Sequence, residues 1–67
     1  MSPFTAILEV PGKGYEVEQV HARCVISAEQ EAQKALNARL NPPQYQRYEV
    51  VAIYGSHAPI LYLKSTT

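Results

Sequence analysis

The chain contains no aspartate, only one cysteine and no long apolar run. Aspartate is the usual carboxylate of catalytic triads and a common magnesium ligand, so its absence argues against both kinds of site. Cys24 has no second cysteine to pair with, which excludes an intramolecular disulfide and the multi-cysteine zinc sites. No segment approaches the roughly 18 apolar residues that a membrane span requires. We therefore expect a soluble, cytoplasmic protein with no membrane partner.

The length and charge of the chain further restrict the classes of function that it can have. A chain of 67 residues forms one small domain, and a domain of this size buries only about 60% of its unfolded surface. The net charge is zero, but residues 1–31 hold five glutamates against two cations, whereas residues 32–67 hold four cations against Glu49. This asymmetry suits electrostatic steering toward a charged partner. Strong nucleic-acid binders are usually far more basic.

The first 26 residues predict a β-hairpin. Apolar residues alternate with other residues from 4 to 10, which is the period of a strand with one apolar face. Pro11 and Gly12 then suit the two central positions of a type II turn. A second strand is predicted from about Tyr15 to Ile26, and its apolar residues change phase near Gln19, which suggests a β-bulge.

A helix is predicted after the hairpin. Ser27 and Gln30 have the spacing of a capping box, in which each side chain caps a free amide of the first turn. Pro42 disfavours helical backbone at the residue before it, so the helix should end near Leu40. The apolar residues of the helix recur at helical spacing along one narrow face: Ala28, Ala32, Ala35, Leu36 and Leu40.

The remainder of the chain predicts a third strand from Tyr45 to Tyr54 and a short fourth strand from Ile60 to Leu63. Residue parity places Tyr48, Val50, Ala52 and Tyr54 on one face of the third strand and Tyr45, Arg47, Glu49, Val51 and Ile53 on the other. The predicted order is β-β-α-β with a fourth short strand. We therefore expect residues 1–67 to form a single α+β domain, with one helix packed on a small antiparallel sheet.

A single helix covers only one face of such a sheet, and the other face must meet water or a partner. A patch of apolar residues with aromatics and arginine at its edge has the composition of an interface. We therefore predict that a partner binds at Tyr45, Arg47, Tyr48 and Tyr54. In the alternative interpretation the tyrosines plug the ends of the core with their hydroxyls at the surface. The uncovered face or an unpaired edge strand would also suit a homodimer.

The sequence does not predict an enzyme, a cofactor or a metal site. His21 and Cys24 are three residues apart on a strand, so they point to opposite faces and should not share a metal ion. The phase of Cys24 predicts a small buried hydrophobic residue rather than a nucleophile. Glu16 and Glu18 resemble a solvated strand face, and no residue is assigned a catalytic role.

Single-stranded nucleic acid is the alternative partner. Arg47 lies between Tyr45 and Tyr48, and single-strand binders stack bases on sheet aromatics while basic residues follow the phosphates. The zero net charge and the neighbouring Glu49 weaken the electrostatic attraction on which such binding depends. Binding to protein is therefore preferred.

Residues 4–54 resemble a family of small proteins from lytic bacteriophages, the short inhibitors of bacterial RNA polymerase. The likeness consists of the length, the β-β-α-β order, an aromatic-x-Ala opening strand at Phe4-Thr5-Ala6 and an arginine, Arg47, on the third strand. The resemblance implies a stoichiometric inhibitor or adaptor that acts in the host cytoplasm on a larger bacterial protein, such as RNA polymerase or a defence complex. It also implies that Glu29 and Glu31 form an acidic strip beside the interface.

Overall fold

A computed structural model describes residues 1–40, 46–55 and 62–63, and it shows one helix packed on an antiparallel sheet. The sheet order is β2-β1-β3-β4, so the first strand lies inside the sheet. This arrangement confirms the predicted α+β class. The elements are β1 (Ser2–Val10), β2 (Gly14–Ala22), α1 (Val25–Arg39), β3 (Glu49–Gly55) and β4 (Tyr62–Leu63).

The β1-β2 hairpin has the predicted turn but no bulge. The Lys13 amide donates to the Val10 carbonyl at 2.9 Å, and Gly12 has a φ of 82°, which fits the second central position of a type II turn. The two strands then pair without interruption, from Val10 opposite Gly14 to Ser2 opposite Ala22. The predicted bulge near Gln19 is therefore wrong, as is the extension of the strand to residue 26. The apparent phase change arises because Tyr15 and Val17 lie on the face away from the helix.

A register shift occurs instead between β1 and β3. Leu8 pairs with Val50 while the preceding residue, Ile7, pairs with Ala52, so Val51 is an extra residue in β3. Val50 and Ile53 consequently both belong to the core on the helix side. The sequence predicted that alternate residues of this strand lie on opposite faces throughout. The bulge reverses that alternation after Val51, so the prediction is wrong for the second half of β3.

The helix begins earlier than the capping box predicted. Cys24 is the N-cap, with no side-chain cap hydrogen bond, and the Ala28 amide donates to its carbonyl at 2.9 Å. The predicted start at Ser27 is wrong. The C-terminal end is confirmed, because Leu40 is the C-cap and its amide donates to the Leu36 carbonyl at 3.2 Å.

The core lies between the helix and one face of the sheet. Leu8, Leu36 and Ile53 are its largest fully buried side chains. Ala28 and Ala32 let the helix lie close to the sheet, where it packs chiefly on β2 and less on β1 and β3. The other buried apolar residues of this cluster are Phe4, Ala6, Val10, Val20, Ala22, Leu40, Tyr48 and Val50.

The described part of the predicted fourth strand pairs with β3. Tyr62 lies opposite Ile53 and Leu63 lies opposite Ala52, in antiparallel register. The remainder of that predicted strand, residues 60–61, lies outside the described residues. The same holds for Tyr45, one of the residues predicted to bind a partner.

Candidate protein-binding surface

The sheet face opposite the helix carries a row of aliphatic residues across all four strands. Val17 pairs with Ile7, Ile7 pairs with Ala52, and Ala52 pairs with Leu63, so the four side chains share one face in neighbouring positions. Val17 and Leu63, at the ends of the row, are 54% and 61% exposed. We call the face that bears this row the open face. Ile7 is half-buried and Ala52 is buried, so the exposed apolar area of the row lies mainly at its two ends, where it could contact a partner.

Two tyrosines flank the row on the open face. Tyr15 lies opposite Glu9 and is 64% exposed, while Tyr54 lies opposite Thr5 and is half-buried. A tyrosine supplies a large apolar ring with a polar end, which is why the residue is enriched at interfaces. The structure therefore places Tyr54, one of the residues predicted to contact a partner, on the face that is free to do so. Tyr15 was not predicted, because its phase was attributed to a bulge.

The charge on the open face is acidic at one end. Glu9 and Glu49 pair across β1 and β3, next to Tyr15. His21 lies at the opposite end of β2 and is exposed. No lysine or arginine occurs at the open-face positions of the described strand residues.

Tyr48 is a core residue, which corrects its assignment to a partner-binding surface. Its side chain is 4% exposed and packs in the cluster beneath the helix. Its hydroxyl accepts a hydrogen bond from Gln46 Nε2 at 3.0 Å. The alternative interpretation, in which a tyrosine fills the core and places its hydroxyl near the surface, describes this residue.

The segment before β3 is fixed to the helix by two side-chain amides. Gln33 Oε1 accepts from the Tyr48 amide at 2.8 Å, and Gln33 Nε2 donates to the Tyr48 carbonyl at 2.5 Å. Asn37 repeats the pattern with Gln46, donating to its carbonyl at 2.9 Å and accepting from its amide at 3.2 Å. These contacts set the entry of the chain into β3. Residue spacing carries no signal for these contacts, because glutamine and asparagine on a helix are typical of solvated surface.

The structure brings Arg47 and Glu29 together. An ion pair joins Arg47 Nη2 to Glu29 Oε1 on the helix side of the molecule, with the arginine largely exposed. Glu31 lies two residues further along the same helix and pairs with Lys34, whose Nζ is 3.2 Å from Glu31 Oε2. The three predicted charged residues are therefore on the helix layer and not on the open face. Exposed pairs of this kind contribute less than about 1 kcal/mol to stability.

A second ion pair joins the end of the helix to β2. Arg39 Nε donates to Glu18 Oε2 at 2.6 Å, and Arg39 Nη2 lies 3.9 Å from Glu16 Oε2. The Glu18 side chain is mostly buried on the helix side, which corrects its assignment to a solvated face. Arg39 thus supplies the positive charge that a buried carboxylate requires.

Cys24 is exposed, not buried as its phase predicted. Its Sγ lies 3.5 Å from the Ser27 hydroxyl, at the first turn of the helix. The hydrogen bonds to the Ser27 side chain and backbone, and that to the Ile26 backbone, lower the pKa of the Cys24 thiol. A thiol with a lowered pKa holds more of the nucleophilic thiolate at a given pH than an ordinary cysteine does.

Two further observations concern metal ions and membranes. Within residues 1–40, 46–55 and 62–63, no three histidine, cysteine or glutamate side chains are grouped so that they would hold a metal ion. The described helix is too short and too polar to cross a bilayer.

Comparison with protein families, with curated proteins and with solved structures found no match to the chain.

Proposed function

We propose that the chain is a small non-enzymatic protein-binding module that attaches its open face to a larger protein. The observation that supports this function is the aliphatic row Val17, Ile7, Ala52 and Leu63, which crosses the whole sheet opposite the helix. The module would act as a stoichiometric inhibitor or adaptor. The resemblance to phage inhibitors makes a larger bacterial protein, such as RNA polymerase or a defence complex, the first partner to test.

The composition of the open face supports a protein partner. The aliphatic row is flanked by Tyr15 and Tyr54, and on the described strands the acidic residues of this face, Glu9 and Glu49, lie at the Tyr15 end. Protein interfaces have this arrangement, with an apolar centre, enriched tyrosine and a polar rim. Burial of the exposed ends of the row, Val17 and Leu63, would supply much of the binding free energy.

The same face is less suited to single-stranded nucleic acid. Tyr15 lies beside Glu9, whereas Lys34, Arg39 and Arg47 are on the helix layer or paired with it. Carboxylates next to the stacking rings would repel phosphates, which such binding must neutralise. Nucleic acid remains the alternative, and the experiment below includes it.

The test compares two matched lysine substitutions in a pull-down with tagged protein from bacterial lysate. Val17→Lys places a charge at the β2 end of the aliphatic row, while Ile26→Lys places the same charge at another exposed aliphatic residue, on the helix. Because neither side chain is buried, both variants should keep the wild-type circular dichroism spectrum. Lysate is used with and without nuclease, and bound proteins are identified by mass spectrometry.

The proposal predicts one stoichiometric protein that survives nuclease treatment, is lost with Val17→Lys and is kept with Ile26→Lys. Equal capture by both variants would show that the open face is not the binding surface. Capture that disappears with nuclease in every variant would support nucleic acid instead.

A further inference from the structure

The outer edge of β2 has no strand beside it in the part of the chain that the structure describes. β2 is the terminal strand of the sheet, it runs for nine residues without proline, and its pairing with β1 is regular throughout. Alternate backbone amides and carbonyls of an edge strand point away from the sheet and require partners. A long, regular edge of this kind is a template for another strand.

A shallow groove of about 430 Å³ runs beside this edge, between β2 and the helix. On the strand side it is lined by Gln19, Val20 and His21, and on the helix side by Glu31, Lys34 and Ala35. The helix contributes one acid and one base, which form an ion pair, so the groove has no net charge from these residues.

We propose that β2 pairs antiparallel with β2 of a second copy, about a twofold axis at Gln19. The register follows from charge. If the axis lay at residue 18, Glu18 would face its own copy, and if it lay at residue 17, Glu16 would face Glu18. An axis at Gln19 places Glu18 opposite Val20 and Glu16 opposite Ala22 of the second copy, so no like charges meet.

This register also preserves the two layers and uses most of the strand. Residues directly opposite each other in an antiparallel pair point to the same side, so pairing of even-numbered residues keeps both helices on one side of the joined sheet. Residues 16–22 of each copy take part. A shift of the axis to Val20 also avoids like charges, but it pairs only residues 18–22.

The helix side of the groove fits the same axis. Gln19 lines the groove with Glu31 and Lys34, so the twofold axis brings these two helix residues near their counterparts in the second copy. We place the axis between Glu31 and Lys34 on the helix side of the groove, and two antiparallel helices related by such an axis bring Glu31 of one copy toward Lys34 of the other, and the reverse. This self-complementarity favours a second copy over an unrelated strand.

The inward-facing carboxylates do not block the edge, although charges at such positions often protect edge strands from pairing. Arg39 of the same copy contacts both Glu18 and Glu16. Its guanidinium therefore balances one of the two negative charges, chiefly that of Glu18, which it contacts more closely than Glu16. The inference is independent of the proposed function, because it concerns the edge and needs no partner protein.

The first test measures the mass of the purified chain by sedimentation from micromolar to hundred-micromolar concentration. We expect a dimer of about 15 kDa, twice the 7.5 kDa of one chain. Gln19→Lys places two lysines opposite each other at the axis and should weaken the dimer several-fold, less so at high salt. Thr5→Lys is the matched control, because Thr5 lies beside Gln19 on the same face but inside the sheet.

The second test fixes the register with a disulfide. In a Cys24→Ser background, Gln19→Cys places two thiols opposite each other at the axis, where oxidation should join the copies nearly completely. Thr5→Cys and Tyr15→Cys should not crosslink at a comparable rate. A chain that stays monomeric at every concentration, or crosslinks equally well at all three positions, would overturn the proposal. A chain that is monomeric by itself, and whose β2 edge pairs only with a strand of a different protein, would also overturn the proposal.

Discussion

The side-chain amide of Gln33 pairs with the backbone of Tyr48 as a neighbouring strand would. It accepts from the Tyr48 amide at 2.8 Å and donates to the Tyr48 carbonyl at 2.5 Å. Asn37 pairs with Gln46 in the same way. Four helix residues rise about 6 Å and two strand residues span about 6.6 Å, so side chains four apart on a helix match backbone groups two apart on a strand. The two helix side chains thereby make the hydrogen bonds that a neighbouring strand would make to the residues just before β3.

Gln33→Ala should lower the free energy of unfolding by about 2 kcal/mol, because it leaves both backbone groups of Tyr48 without partners in a buried position. Urea denaturation followed by circular dichroism measures the change. Gln30→Ala removes the same side chain from an exposed position of the same helix and should change stability by less than about 0.5 kcal/mol. Equal effects of the two substitutions would show that the Gln33 contacts do not stabilise the fold.

Tyr48 should contribute to the stability of the fold and not to the binding of a partner. Tyr48→Ala removes a buried aromatic ring and should cost about 3 to 5 kcal/mol, enough to unfold much of a domain of this size. Tyr48→Phe removes only the bond from Gln46 and should cost about 1 kcal/mol or less, with partner binding unchanged. Thermal melts and the pull-down provide the two measurements. A folded Tyr48→Phe variant that has lost its partner would restore Tyr48 to the binding surface.

The sequence predicted the elements whose signals are local. Pro11 and Gly12 specify their turn by backbone preference, and the preference of Pro42 against helical backbone before it predicted the helix end that the structure has at Leu40. The bulge in β3 was not predictable, because residues 50–53 are all apolar and fit a core in either phase. The early start of the helix depends on packing of Val25 against the core, which outweighs the capping pattern at Ser27.

The candidate site was predicted only in part, because the positions of its residues depend on tertiary packing and not on local signals. Tyr48 and Tyr54 have equal parity in the sequence, and the bulge between them sends one to the core and the other to the open face. Arg47 and Glu29 were both assigned to an interface, and their mutual ion pair depends on how the helix crosses the sheet. Contacts of this kind are set by tertiary packing and have no signature in residue spacing.

The two arginine ion pairs should differ in their effect on stability. Arg39→Ala leaves the mostly buried Glu18 carboxylate without its cation and should cost about 2 kcal/mol, after allowance for the partial exposure of the pair. Arg47→Ala breaks an exposed pair and should cost less than about 1 kcal/mol. Urea denaturation at low and high salt measures both. An equal cost for the two substitutions would show that burial of Glu18 adds nothing to its pairing.

Cys24 should react with iodoacetamide at lower pH than an ordinary cysteine. The hydrogen bonds from Ser27 and the first helical turn lower the pKa of the thiol, so the folded chain holds more thiolate at any pH below the ordinary titration range. The midpoint of the alkylation rate against pH should therefore lie below that of the same chain unfolded in urea. Ser27→Ala should raise the midpoint toward the unfolded value, while Ser2→Ala, an exposed serine in β1, should leave it unchanged. Coincident midpoints for the folded and unfolded chains would show that Ser27 does not stabilise the thiolate.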